Sequence, residues 1–304
     1  MPANPLKSKS NNRSMALNKY IQSFRLRTLP LSMSGIILGS GMAWHMVGNS
    51  WQFWAVFALA MCTTLSLQIL TNLSNELGDA QHGTDDGQQA RVAYGLQAGA
   101  ITEPEMRRVI GVFIGLCMLF GTALVWTAFS TLLCVEAGCF LLLGAFAIIG
   151  AMTYTLGKHS YGYMGLGDLG VFIFFGLLST MGSFYLQAHT LTSQVAWAAV
   201  AIALPIVGVL NLNNIRDMDN DQAHGKHTFA GWIGKTAGKV YHTLLIVGCM
   251  TIFACLGFWW TWLVWPVLIW HLIYIWRHQD AELDLQMPVL MFTTIVIAML
   301  ACIG

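Results

Sequence analysis

Charge is scarce in this 304-residue chain: only 10% of its residues are Asp, Glu, Lys or Arg. A soluble domain carries about 25%. Hydrophobic residues make up 56%, and no hydrophilic stretch is long enough to build a second, soluble domain. The net charge of +1 leaves no basic surplus to attract a polyanion, so no nucleic-acid partner is expected. Cysteines are few. All seven lie inside apolar runs and none forms CxxC, which excludes a disulfide framework and leaves them as small packing residues. No GxxxxGK[ST] phosphate loop is present, so nucleotide chemistry is not expected. The nine histidines show no metal-ligand spacing. The first apolar run begins only near Leu29, too late for a cleavable signal peptide. Residues 1–19 read as a disordered cytoplasmic tail and 20–304 as a single transmembrane domain.

Apolar runs are what the chain does have. A spanning helix needs about 20 mostly apolar residues. Nine stretches qualify, near 29–47, 51–73, 109–128, 131–154, 169–187, 192–213, 239–257, 259–276 and 286–303. Basic residues mark the cytoplasmic face of a membrane protein. All 15 fall in the amino-terminal segment or in the loops after the second, fourth, sixth and eighth runs. The alternate loops, near Gly48, Ser130, Thr190 and Phe258, hold none. The fold expected is therefore an all-α integral membrane protein. Nine helices form one bundle around a central cavity facing the cytoplasm, with the amino end inside and the carboxyl end outside. A multi-pass protein of the inner (cytoplasmic) membrane follows, with the lipid bilayer as its surroundings.

Acidic residues are few and gathered. Thirteen of the 14 fall on the same cytoplasmic side, Glu136 being the exception. Two clusters stand out. NELGDAQHGTD covers Asn75–Asp85 and NNIRDMDND covers Asn213–Asp221, each directly after a long apolar run. Asn75 and Asp79 are four apart, as are Asn213, Asp217 and Asp221, which puts each set on one helical face. Glu76 and Asp219 point off those faces. Carboxylates crowded into one space repel unless protons or cations intervene. Mg²⁺ is the natural partner of such oxygen ligands and usually also holds phosphate. A lipid substrate carrying a diphosphate, clamped between the clusters, is the chemistry expected. Arg216 and Lys226 stand where phosphate-binding cations are useful.

The clusters also form a weak internal repeat. An apolar run, Asn-x-x-x-Asp and a His-Gly turn (His82-Gly83, His224-Gly225) occur twice. In membrane proteins, sites often form between such halves. Between the fourth and fifth runs lies TYTLGKHSYGYMGLGDLG, where Tyr154 and Lys158 are four apart, again on one helical face. Its glycines give a backbone that can approach a ligand closely. Arg25 and Arg27 precede the first run, placed for phosphate, anionic lipid or a substrate carboxylate.

Together these residues resemble the UbiA-type superfamily of intramembrane aromatic prenyltransferases. That pattern has two aspartate-rich motifs after helices 2 and 6 and a Tyr-x-x-x-Lys between helices 4 and 5. Within the group, NLSNELGDAQHGTDD, YGYMGLGDLGVFIFFG and LNNIRDMDNDQAHGKHT are similar to the branch that prenylates 1,4-dihydroxy-2-naphthoate in menaquinone synthesis. The resemblance implies transfer of a polyprenyl group from polyprenyl diphosphate to that ring, with loss of CO₂, giving demethylmenaquinone. It implies Asn75, Asp79 and Asp85 as the first metal–diphosphate site, and Asp217 and Asp221, beside Asn213 or Asn214, as the second. Tyr154 and Lys158 would contact the diphosphate or steady the leaving group. Two departures stand out. Glu76 occupies a position that usually holds Asp, and 90–94 lacks the usual Gly-Pro and following Arg. Other aromatic acceptors, such as 4-hydroxybenzoate, and a transporter for cations or metabolites remain alternative readings.

Overall fold

The computed structural model describes residues 20–84, 95–158 and 160–303. The amino-terminal tail, Asp85, Asp86 and the stretch 90–94 lie outside the described residues. Among those described, the elements are helices of several kinds, with one isolated bridge between Met164 and His227. The long ones are α1 (Leu29–Val47), α2 (Trp51–His82), α3 (Glu103–Phe129), α4 (Val135–Thr153), α5 (Gly167–Ala188), α6 (Ser193–Arg216), α7 (Lys235–Cys255), α8 (Trp265–Arg277) and α9 (Gln286–Ala301). Each overlaps one of the expected apolar runs. Six of them, and α9 taken together with the 3₁₀ turn Asp280–Leu285 before it, are long and apolar enough to cross a membrane. α1 is diluted by serines and glycines, and α8 has only 13 residues, preceded by the 3₁₀ turn Trp259–Val264.

Local chemistry explains several helix starts. The side chains of Ser50 and Thr192 accept the backbone N–H groups of Phe53 and Val195, each satisfying one orphan donor of a first turn. At α3, Thr102 and Glu105 form a reciprocal capping box. α6 is the centre of the bundle and is buried along most of its length.

Two departures from the expected boundaries position the site. α2 was expected to end near residue 73, but it continues to His82. Its 32 residues span about 48 Å at 1.5 Å per residue, well beyond the roughly 30 Å of a hydrocarbon core. The surplus turns carry Asn72, Asn75, Glu76 and Asp79 as helical residues. α4 instead ends at Thr153, and Gly157 adopts φ +94°. Tyr154 and Lys158 therefore do not share a helical face, because the helix their spacing presumed is already over.

α1 and α5 cross at backbone contact. A Cβ at Gly39 would lie 2.1 Å from the Thr180 carbonyl oxygen and 2.2 Å from Ser183 Oγ. This is the small-residue packing that membrane helices use, where apolar side chains gain nothing over lipid. Next to it, Phe172–Leu178 of α5 is π-helical. That wider turn shifts the register of the side chains that follow. Replacing Gly39 with Val is expected to cost about 1–3 kcal/mol through overpacking. The check is thermal unfolding in detergent or nanodiscs; a melting temperature equal to the parent's would contradict the close crossing.

Candidate active site

The site forms where the ends of α2 and α6 meet the segment before α1. That segment is tied down by α2. The Asn72 side-chain amide donates to the Phe24 carbonyl at 2.9 Å and to Thr28 Oγ1 at 3.2 Å, and Gln68 donates to Thr28 Oγ1 at 3.1 Å. These bonds hold Arg25, whose backbone is left-handed (φ +49°), and Arg27 beside the acid clusters.

A polar cavity of about 120 Å³ results. Its wall contains Asn75 and Asp79 from α2, Asn213, Asn214 and Arg216 from α6, then Asp217, Asp221 and Lys226, with Arg25, Arg27 and Tyr154. The three aspartates are only 4%, 7% and 3% exposed in chain order. The two clusters thus face one space small enough for a single head group. A second, apolar cavity of about 610 Å³ adjoins it and shares Arg25, Thr28, Asn75, Tyr154, Leu210, Asn213 and Met291. Ile114, Phe174, Phe175 and Leu178 belong to its wall, so the π-helical stretch of α5 faces this interior.

Each buried acid has a partner. Arg216 forks onto Asp217, with Nε to Oδ1 at 2.8 Å and Nη2 to Oδ2 at 2.6 Å, and its Nη1 binds Asp284. Lys226 Nζ lies 3.2 Å from Asp221 Oδ2. Tyr163 donates its phenol hydrogen to Asp79 Oδ1 at 2.9 Å. Burial pushes the Asp221 carboxyl above the ordinary carboxylate range; Lys226 opposes this, while Asp217 and Asp79 add to it. Both clusters line this one cavity, which places them within electrostatic reach of each other. Burial and the nearby acids likewise hold Tyr154 well above the usual phenol range, so it stays protonated.

The internal repeat is visible in the backbone. His82 Nδ1 lies 2.8 Å from the Gly78 carbonyl and His224 Nδ1 2.8 Å from the Asn220 carbonyl. Each His is followed by a glycine with positive φ, Gly83 at +71° and Gly225 at +74°. The Thr84 N–H bonds the Asp79 carbonyl and the Lys226 N–H bonds the Asp221 carbonyl. The matching turns pair Asp79 with Asp221, and hence Asn75 with Asp217. This is a shift of four from the register that pairs the two Asn-x-x-x-Asp strings.

Other expected residues fall elsewhere. Lys158 is exposed and lines neither cavity. Asp219 is 83% exposed at its side chain and pairs with Lys235. Glu76 is wholly buried, and its carboxylate accepts the Leu96 N–H, so it anchors the loop before α3. Asp85 lies outside the described residues. Three site residues escaped the sequence reading. Tyr163 and Thr84 touch Asp79's surroundings from the α4–α5 loop and the end of α2. Asp284 reaches Arg216 from 68 positions away and comes within 3.9 Å of Arg27. Tyr163 sits in the glycine-rich string, but nothing in its spacing marks it.

The donor chemistry fits a divalent cation delivered with a phosphate ligand. Among the described residues, no group of three or more His, Cys, Asp or Glu is close enough to hold an ion unaided. With no such group, an ion would take only some of these carboxylates and complete its shell from substrate, as Mg²⁺ does.

The chain is similar to known proteins over most of its length. The chain is 40% identical over 272 residues to the 1,4-dihydroxy-2-naphthoate octaprenyltransferase of Escherichia coli (strain K12), covering 86% of each chain. Its fold is similar to the apo structure of a UbiA homolog from Aeropyrum pernix K1, with TM-score 0.66, 17% identity and coverage of 90% of this chain and 99% of that one. It is also similar to a UbiA homolog from Archaeoglobus fulgidus bound to GPP and Mg²⁺, with TM-score 0.61, 13% identity and coverage of 94% and 100%. The profile described as the UbiA prenyltransferase family matches residues 33–296, a span that includes the cavity-lining ends of both α2 and α6. By that match the chain belongs to the UbiA prenyltransferase family.

Proposed function

We propose that the protein transfers a polyprenyl group from polyprenyl diphosphate to 1,4-dihydroxy-2-naphthoate, with decarboxylation, to give demethylmenaquinone. The observation that carries this is a small acid- and base-lined cavity joined to a larger apolar one. A prenyl diphosphate has the same two parts. The acceptor follows from the naphthoate-specific name of the relative that is 40% identical. All nine long helices cross the bilayer of the inner (cytoplasmic) membrane, as a single domain from residue 20. The amino end and the cavity mouth face the cytoplasm, and the carboxyl end faces outward. This topology puts Arg25, Arg107, Arg216 and Arg277 on one side, as the positive-inside rule requires.

In this reading the diphosphate lies between the ends of α2 and α6. Asn75, Asp79, Asp217 and Asp221 would hold Mg²⁺, with Asp85, outside the described residues, as a further ligand. When bound, the ion neutralises charge that develops on the departing diphosphate. Arg216 and Lys226 are already aimed into the same cavity and exchange carboxylate partners for phosphate oxygens. Asn214 adds an amide donor. Arg25, which borders both cavities, and Arg27 are placed for the acceptor carboxylate or the diphosphate. Tyr154 stays a neutral phenol at the junction where the C–O bond breaks. It donates a hydrogen bond to the leaving group and offers its ring to the allylic cation. The apolar wall excludes water that would otherwise capture that cation. Lys158, outside the cavity, would reach the diphosphate only if its loop moved inward.

Two results check this proposal. Asp79→Asn and Asp217→Asn are each expected to lower prenyl transfer by about 100-fold or more, the scale of losing one preorganised electrostatic contact, while the protein still inserts. EDTA should abolish turnover and Mg²⁺ restore it. Turnover within twofold of the parent in both variants would remove the clamp. Separately, the purified protein is offered 1,4-dihydroxy-2-naphthoate, 4-hydroxybenzoate and homogentisate with one prenyl diphosphate, and the products are identified by mass spectrometry. Only the naphthoate is expected to be prenylated; a product from another acceptor alone would overturn the assignment.

A further inference from the structure

Tyr163 belongs to none of the acid-rich or Tyr-x-x-x-Lys strings, yet it touches Asp79 of the first cluster and Lys226, the partner of Asp221 in the second. It lies in the loop between α4 and α5, on the short turn Tyr161–Tyr163, and is buried. Its hydroxyl stands 2.9 Å from Asp79 Oδ1 and 2.6 Å from Thr84 Oγ1. A phenol has one hydrogen. Given to the carboxylate, it leaves the phenol oxygen to accept from Thr84, so a chain runs Thr84 to Tyr163 to Asp79. On the other side, Lys226 Nζ, the partner of Asp221, sits 5.7 Å from the Tyr163 ring centroid. The Tyr163 carbonyl accepts the His227 N–H at 3.1 Å, and the His82 ring packs at 4.4 Å. The Thr84 carbonyl in turn accepts the Asn220 side chain at 2.9 Å.

We propose that Tyr163 is a positioning residue: through Thr84–Tyr163–Asp79 it fixes the Asp79 carboxylate toward the prenyl diphosphate and its cation, and it couples that setting to the Lys226–Asp221 pair. The inference rests on the clamp assigned above. A carboxylate held by a phenol keeps one orientation, whereas without it the side chain samples others and meets the cation less often. Removing such a hydrogen-bond partner behind a metal-binding group costs typically about 10–100-fold in metal affinity. Tyr163→Phe keeps the ring, its packing on His82 and the cation–π contact, and removes only the hydroxyl.

The experiment measures Mn²⁺ binding by EPR to the full-length protein in nanodiscs, with a non-reactive prenyl thiodiphosphate present, for the parent and for Tyr163→Phe. The half-saturating Mn²⁺ concentration should rise about 10-fold. In turnover assays the KM for prenyl diphosphate should rise while the KM for the aromatic acceptor stays the same. Thr84→Val, which removes the second link, should shift Mn²⁺ binding in the same direction by a smaller factor. It serves as the test if Tyr163→Phe does not fold. Mn²⁺ affinity within twofold of the parent in Tyr163→Phe, or in Thr84→Val where it stands in, would overturn the inference, even if the melting temperature falls. No Mn²⁺ binding in the parent would instead overturn the clamp itself.

Discussion

Three carboxylates crowd the wall of one small cavity at the edge of an apolar bundle, and the rest of the site answers that constraint. Like charges in a low-dielectric setting repel strongly, and burial together with Asp217 and Asp79 raises the Asp221 carboxyl against the pull of Lys226. The chain meets the cost with a separate partner for each acid: a guanidinium fork on Asp217, an ammonium on Asp221 and a phenol on Asp79. The three partners differ in kind. Under the proposed function, Arg216 and Lys226 would turn to an anionic ligand and release their carboxylates to a cation, while the neutral phenol would stay behind Asp79.

That arrangement depends on two backbone features at the membrane edge. α2 runs past the hydrocarbon thickness, so its last turns carry polar side chains on a rigid scaffold rather than on a loop. α6 stops at Arg216, and the short helix Met218–Ala223 begins directly after it, which brings Asp217 and Asp221 to the same cavity. Both acid-bearing helices then close with the same His-Gly turn. Deeper in, close α1–α5 packing through Gly39 and the π-helical turn of α5 shape the apolar cavity. Tyr154 stands where the polar and apolar spaces meet.

Much of this was legible in the sequence because it follows from one-dimensional signals. Long apolar runs locate the helices, and a helical period of four puts Asn75 with Asp79 on one face. Contacts made across the chain were not legible. Asp284 meets Arg216 across 68 positions, and no local pattern marks it as part of the site. The Tyr154–Lys158 spacing misled, since spacing implies a shared face only while the helix lasts, and Gly157 lies beyond the end of that helix. The internal repeat was visible as a string, but its register was not: the turn hydrogen bonds pair Asp79 with Asp221.

The sequence by itself determined that the chain is helical and membrane-embedded, that its acids lie at helix ends, and which residue types were available to hold a diphosphate. Those properties are fixed by hydropathy and local periodicity, which act over a few turns of chain. Only the tertiary structure decided that both clusters share one cavity, that Glu76 is turned to a loop N–H, and that Tyr163 stands between Asp79 and Lys226. Such pairings depend on how separate helices pack, and close packing and electrostatics depend on distance in space, which position along the chain does not encode.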